Sequence, residues 1–342
     1  MTKLLFLLLC TAILSACSAP RVRSMTLVPS SYHEAARLKS LAVLAIDGKG
    51  GKALTAEIEA ALATVEADGR PYFTLFERNR LDRILEEQDR DAHQLADPGT
   101  AAEIGRLAGV MGVVAGNAAR TLSDSSYREK RTICLEREAP PQNAKKGEGK
   151  CVLSEQRSVP CTKRELVLTF TPKIIEVATA RIVYTRALRA TRSDAVCGDS
   201  GRPLASEAVL YGQAKESVLA TFIKDIAPHY ETFQFSLMNS DDGIRLPEAR
   251  KSFEAGLDFA GNNRLDRACE LWQSAAPLAP DAPAIQFNLG VCAEIGGELS
   301  KAQAQYQKAD RLVKEPNNDI SLALSRINAA LANQRQLDEQ LE

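Results

Sequence analysis

Residue types recur at a spacing of 34 near the C-terminus, and that period constrains the fold more than any other feature. Gly256, Ala268, Trp272 and Ala275 are answered by Gly290, Ala302, Tyr306 and Ala309, while Pro280 finds Pro316 displaced by two positions. Small residues let two helices cross closely, and an aromatic four positions after the first alanine fills the space beside the crossing. Such a unit cannot bury its apolar face alone, so its copies must stack. The pattern predicts an all-α module of helical hairpins over residues 247–342. Asp319 to Leu341 then serves as a partial repeat or a polar capping helix. The run Asn239-Ser-Asp-Asp-Gly243 is rich in turn-forming residues and marks a linker over 239–246.

Upstream, the periodicity changes. Leu41 to Ile46 is an apolar run of buried-strand length, followed by glycines and a helix with Leu54, Ile58, Leu62 and Val65 on one face. A short strand at Phe73 to Phe76 leads to a helix carrying Leu81, Ile84 and Leu85. Thr100 and Glu103 have the spacing of a capping box for a third helix, which Gly109 stops, and Val110 to Ala115 reads as another buried strand. A helix from Ser206 to Ile226 and a strand through Phe233, Phe235 and Leu237 complete the region. Alternating strands and helices predict an α/β (α+β) domain with a mixed sheet over residues 41–238. Residues 17–40 show no sustained periodicity and read as a tether.

Residues 123–163 depart from this pattern. They are crowded with charge and contain Pro140-Pro141, a Lys/Gly-rich stretch from Lys145 to Lys150, and Cys134, Cys151 and Cys161. They read as an insertion leaving the sheet. Two long strands follow, Glu165 to Val177 and Arg181 to Arg192, around a tight turn at Ala178-Thr179. Antiparallel pairing across that turn sets Cys161 nearly opposite Cys197, which predicts a disulfide and leaves Cys134 to pair with Cys151 by elimination. In the helical module, Cys269 and Cys292 fall at equal height on neighbouring antiparallel helices, a third candidate pair.

The N-terminus sets the compartment. Lys3, the apolar run Leu4 to Leu9 and the sequence Leu14-Ser15-Ala16-Cys17 have the layout of a lipoprotein signal peptide over residues 1–16, with Cys17 as the lipid attachment site. The apolar run is too short to span a bilayer. Ser18 stands where a retention signal would place Asp, so the resemblance to Gram-negative lipoproteins implies lipid anchoring in the outer membrane, facing the periplasm. An oxidising compartment suits six further cysteines as three disulfides. The formal charge of −1 becomes −2 when the leader removes Lys3, which offers no attraction to nucleic acid.

Two families are resembled. The period and its crossing residues are those of tetratricopeptide (TPR) repeats. The stretches LAVLAID, FTLFERNRLDRILEEQ at Phe73 to Gln88, TAAEIGRLAGVMGVVAG at Thr100 to Gly116 and LVLTFTPKIIEVATARIVYT at Leu166 to Thr185 resemble the CsgG-like lipoprotein family, with Glu77, Arg78 and Leu81 at the family's spacing. That resemblance implies a periplasmic α/β domain with no known catalysis. Pore-forming members cross the outer membrane with hairpins where this chain has its insertion. As a strand, one face here would present Tyr127, Glu129, Arg131, Ile133, Leu135 and Arg137, and the other Arg128, Lys130, Thr132, Cys134, Glu136 and Glu138. Neither face suits lipid.

Catalytic and cofactor signatures are weak. Gly48 to Gly51 follows a strand but lacks the Lys-Ser/Thr of a phosphate loop. His33, His93 and His229 stand apart in sequence, and Glu86-Glu87 with Asp89 to Asp91 reads as a solvated helix end. A zinc site from Cys134, Cys151, Cys161 and Cys197 is the alternative to disulfides there. The expectation is a non-enzymatic scaffold without cofactor or metal, binding envelope proteins through the α/β domain and a TPR groove, and attached to the membrane by lipid alone. Arg250, Phe253, Phe287 and Glu294, on the first helix of each pair, are the candidate contacts; the alternative is that both phenylalanines only fill the space between helices. Other readings are a homo-oligomeric curli-type secretion channel, a regulator of cell-wall synthases, or an envelope enzyme with an unrecognised site.

Overall fold

The computed structural model describes residues 20–67, 69–88, 97–138 and 150–342. The leader, Cys17, His93, Asp89 to Asp91, Pro140-Pro141 and Lys145-Lys146 lie outside the described residues. The chain forms two compact units, one of residues 30–227 and one combining the N-terminal segment to Pro29 with residues 228–342. This division differs from the sequence reading at both edges.

The first element belongs to the second of these units. β1 (Arg21–Val28) occupies most of the stretch read as a tether, so that reading is corrected. In the α/β unit, α1 (His33–Ala36) precedes β2 (Ser40–Val43), and α2 (Gly51–Ala63) follows. The short β3 (Glu66–Ala67) and β4 (Arg70–Pro71) pair with each other, and β5 (Thr74–Leu75) runs parallel to β2. α3 (Arg78–Glu87) and α4 (Pro98–Ala108) then lead to β6 (Gly112–Arg137) and β7 (Cys151–Glu176), followed by β8 (Arg181–Thr185), β9 (Leu188–Cys197) and α5 (Glu207–Ile226). The mixed sheet has the order β5-β2-β6-β7-β8, with β9 continuing the pairing along β7.

Alternation along the strands separates two faces. Ala42, Leu44, Val113, Ala115, Ile175 and Val177 pack with Leu81 of α3 and Ala101 and Ile104 of α4. On the opposite face, Phe170 of β7 and Phe222 of α5 meet edge to face at 5.9 Å. The start of α4 differs from the capping-box reading. Asp97 is the N-cap, its Oδ1 accepting from the Thr100 N–H at 3.0 Å, and Pro98 occupies the first turn. An Asp-Pro pair suits that position because proline lacks the N–H that would be unpaired there anyway. Gly109 ends the helix in the left-handed conformation, as read.

β8 and β9 are two strands where the sequence suggested one, because Arg186 and Ala187 interrupt the ladder. Arg186 turns aside to bond the buried carboxylate of Asp225, which also accepts from the Tyr184 hydroxyl at 2.9 Å. Within the stretch read as an insertion, residues 123–137 and 151–163 are not a loop leaving the sheet. β6 and β7 run on through them as one antiparallel hairpin, paired from Gly112↔Glu176 to Arg137↔Cys151.

In the second unit, β1 pairs along its whole length with β10 (His229–Ser236), and five helices follow: α6 (Pro247–Gly261), α7 (Leu265–Ala275), α8 (Pro283–Ile295), α9 (Leu299–Leu312) and α10 (Asn318–Leu341). The period of 34 has a direct geometric counterpart. A Cβ on Gly256 would stand 2.3 Å from Trp272 Nε1, and one on Gly290 would stand 2.6 Å from the Tyr306 ring. Each glycine is the point where one helix of a pair meets the aromatic of the next. Val22 and Phe235 of the ribbon join the same core as Phe253, Trp272, Phe287 and Tyr306.

These close approaches predict that Gly290→Ala destabilises the protein by about 1–3 kcal/mol through overpacking against Tyr306. Denaturant titration of wild type and variant measures the difference; a shift below ~0.5 kcal/mol would contradict the crossing geometry.

Candidate functional site

The residues predicted to receive a partner lie on α6 and α8, and they are placed otherwise than as open contacts. Phe253 and Phe287 are 1% and 2% exposed and lie in the core, which agrees with the alternative that they fill the space between helices and not with their reading as contacts. Glu294 is 8% exposed and committed internally. It accepts two bonds from Arg326, at 2.7 and 2.8 Å, and one from the Tyr306 hydroxyl at 2.7 Å. Burial and the Glu294 charge push the Tyr306 phenol well above its ordinary range, so it stays a donor. Arg250 donates to the Ile244 carbonyl at 3.0 Å and is ion-paired with Asp241, serving to hold the turn before α6.

The reason α8 offers no open face is that the chain covers it. The segment after β10 lies along this helix, with Leu237 and Ile244 buried in the helical core. Asn288, fully buried on α8, accepts from the Met238 N–H and donates to the Met238 carbonyl, both at 2.9 Å. A side-chain amide that satisfies both backbone groups of one residue fixes an extended segment as a neighbouring strand would. Sequence reasoning missed Asn288, although an asparagine inside the apolar run IQFNLGVCAEI is the signal that could have found it. Buried amides need partners.

Cys269 on α7 and Cys292 on α8 are joined by a disulfide with Cα atoms 5.9 Å apart. The cross-link fixes the helix that carries Asn288.

In the α/β unit the accessible feature is the hairpin arm. β9 stops at Cys197 opposite Cys161, so beyond that point β7 has β6 alone as a partner. β6 in turn pairs with β2 only through Leu41–Val43, with a bridge at Asn117 and an Ala118 N–H bond to the Asp47 carbonyl, leaving its outer edge without a neighbouring strand from Ala119 to Arg137 among the described residues. Disulfides hold both ends of the arm. Cys161–Cys197 ties its base to β9, and Cys134–Cys151 ties its far end across the two strands. Around the base disulfide Val159 completes a small apolar cluster, and Arg131 spans Glu129 and Asp199 above it.

The Glu129, Cys161 and Cys197 ligand atoms lie within 4.8 Å of one another, the spacing of a metal site. The sulfurs are bonded to each other, however, and a disulfide has no thiolate to offer zinc. Cys134 and Cys151 belong to a separate bond, so the four-cysteine zinc reading fails in this structure.

An open groove of about 800 Å³ lies beside the arm's base, with Tyr127 and three arginines along it. Two of these arginines are paired with carboxylates and the third bonds a serine. Arg164 forms a bidentate pair with Asp124, Arg202 does so with Asp194, and Arg128 bonds Ser158. The Arg202 guanidinium and then the Ala205 N–H hold the Asp194 carboxyl well below the usual carboxylate range. Among the described residues no helix is long and apolar enough to cross a membrane.

Residues 50–119, spanning α2 to the first third of β6, match the family described as curli production assembly/transport component CsgG. No curated protein matches the chain. Among solved structures, it is similar to the LpoB C-terminal domain from Salmonella enterica, at 14% identity and a TM-score of 0.25, covering 44% of this chain and 82% of that one. It is also similar to the PelC dodecamer from Paraburkholderia phytofirmans, at 13% identity and a TM-score of 0.25, covering 61% of this chain and 99% of that one.

Non-reducing peptide mapping should recover three linked pairs: Cys134 with Cys151, Cys161 with Cys197, and Cys269 with Cys292. Replacing Cys269 and Cys292 by alanine should lower stability by about 3 kcal/mol under oxidising conditions. An unchanged unfolding midpoint with and without reductant would contradict the third bond.

Proposed function

We propose that the protein is a non-enzymatic lipoprotein, anchored through Cys17 in the outer membrane and facing the periplasm, that binds protein partners in an envelope or secretion assembly. The observation that carries this reading is the hairpin arm. It is two strands wide, braced by a disulfide at each end, and presents about twenty residues of unpaired β6 edge. An open edge recognises an added strand through main-chain hydrogen bonds, a common mode of peptide and subunit binding. The match to the CsgG family over residues 50–119 supports an envelope role for the unit that carries the arm. The helical module, read as tetratricopeptide-like on its period of 34, binds partners through faces other than the one that residues 237–244 cover.

A second reading is favoured by the same hairpin: a channel subunit whose arms assemble across a membrane. It requires lipid-facing positions that the sequence does not supply, since Arg128, Lys130 and Glu136 lie on one face and Glu129, Arg131 and Arg137 on the other. Each charge at mid-membrane depth costs about 2–4 kcal/mol on a barrel exterior.

Photo-crosslinkers placed at Ser126 and Thr132 on the β6 edge should give discrete protein adducts in intact cells, while one at Lys52 on α2 should not. Adducts at none of the edge positions would remove the arm's assigned role. Ion conductance by the purified protein, lost on deleting residues 126–160, would establish the channel instead.

Cys17→Ser should leave the chain unprocessed or released from the membrane. Intact-mass measurement of the mature wild-type protein checks the same point, and an unmodified Cys17 would refute the anchor.

A further inference from the structure

The two-stranded ribbon of the second unit has one face against the helices and one face outward. Val22 and Phe235 point into the helical core, and the positions between them point away. Arg21, Arg23 and Met25 on β1 and Tyr230 on β10 are all exposed, Met25 by 70% and Tyr230 by 60%. None of the eight residues on this outer face is acidic, although the chain as a whole is slightly negative. Neither Arg21 nor Arg23 has an acidic partner among the described residues.

The position of this face in the sequence matters as much as its composition. The Leu237 N–H donates to the Pro20 carbonyl at 2.9 Å, so the ordered ladder begins at Pro20. Cys17 is three residues earlier, and three residues reach at most about 11 Å. A lipid on Cys17 therefore holds the start of the ribbon within about one Debye length of the headgroups. At that range exposed arginines face lipid phosphates, a tyrosine has the amphipathic character favoured at the membrane interface, and a methionine offers apolar surface to it.

We propose that the outer face of the β1–β10 ribbon is a membrane-surface contact that seats this unit on anionic phospholipid, with Arg21 and Arg23 on phosphates and Met25 and Tyr230 at the level of the headgroups. The proposal rests on the lipid-anchored reading given above. It adds to the lipid a second, oriented attachment, and it makes the ribbon the base from which the helical unit stands.

The test replaces the lipid by an artificial tether. A chain beginning at Ser18, which keeps every described residue, is held by an N-terminal hexahistidine tag on nickel-chelating lipid. The vesicles contain phosphatidylglycerol and phosphatidylethanolamine with brominated acyl chains. Trp272, the single tryptophan and fully buried, serves as the unquenched reference. The tryptophan added by Met25→Trp should be quenched. Arg21→Ala combined with Arg23→Ala should lower the ratio of seated to unseated protein about 25-fold, from two roughly fivefold effects. Unchanged Trp272 emission in each variant reports that the helical core remains folded.

An unquenched added tryptophan, or quenching indifferent to the arginine pair, would overturn the proposal. So would a dimer of the untethered chain that Met25→Ser abolishes, because a second copy would then own the face. The mass of native Cys17 is read separately: an unmodified thiol sinks the anchor reading alone, while failure of quenching in the tethered chain sinks the surface contact alone.

Discussion

The antiparallel ladder between β6 and β7 is the constraint on which the α/β unit depends. Each strand is 26 residues long, well beyond what one sheet needs, and the same hydrogen-bond register serves two purposes along its length. Near Val113↔Ile175 the ladder carries the apolar side chains that α3 and α4 cover. Beyond Tyr127↔Cys161 it carries charge on both faces. Two strands alone are marginal in water, so the arm needs support from elsewhere. The disulfides provide it. Cys161–Cys197 ends the three-stranded region and Cys134–Cys151 closes the two-stranded one, with the Arg131, Glu129 and Asp199 cluster between them.

In the helical unit the corresponding constraint is Asn288. An unpaired amide in the middle of α8 would cost about 1–3 kcal/mol, and Met238 removes that cost by supplying both a donor and an acceptor. Once the segment after β10 is fixed there, Leu237 and Ile244 fill the space that an exposed groove would have left. The helices and the ribbon are one core for this reason. Glu294 follows the same logic, because a carboxylate at that depth is tolerated only when Arg326 and Tyr306 satisfy it.

Local signals made much of this legible. The helix positions, the buried strand at Leu41, the Ala178-Thr179 turn and the recurrence of Gly256 and Trp272 at Gly290 and Tyr306 all rest on residues near one another in sequence. Register arithmetic across that turn set Cys161 beside Cys197, and helix height set Cys269 beside Cys292. What could not be read depends on partners far apart. β1 alternates well enough, as RVRSMTLV, but an edge strand without a visible partner looks like a tether, and its partner begins at His229. The charged insertion failed for a related reason. Alternation of apolar and polar residues is the usual mark of a strand, and a hairpin exposed on both faces has no apolar face to reveal it. Phe253 and Phe287 were placed on the right helices but on an accessible wall, because the sequence gives no sign that residues 237–244 return to cover α8.

The polarity of the arm also decides which of its features can recognise another molecule. Its faces present alternating charges that water solvates well, and several are spent on neighbours within the arm, as Arg157 is on Glu155 and Arg131 on Glu129. Exposed pairs of this kind contribute little and bind nothing strongly. The edge is different. Outward-facing backbone N–H and C=O groups along β6 from Ala119 to Arg137 have no strand beside them among the described residues, and a strand added there gains a ladder without disturbing any pair already formed. Charged side chains near such an edge also oppose indiscriminate pairing, since a wrong partner must bring like charges together. In the role proposed for it, the arm would take its selectivity from side chains and its affinity from backbone, a combination that suits an assembly component and that a lipid-facing wall could not use.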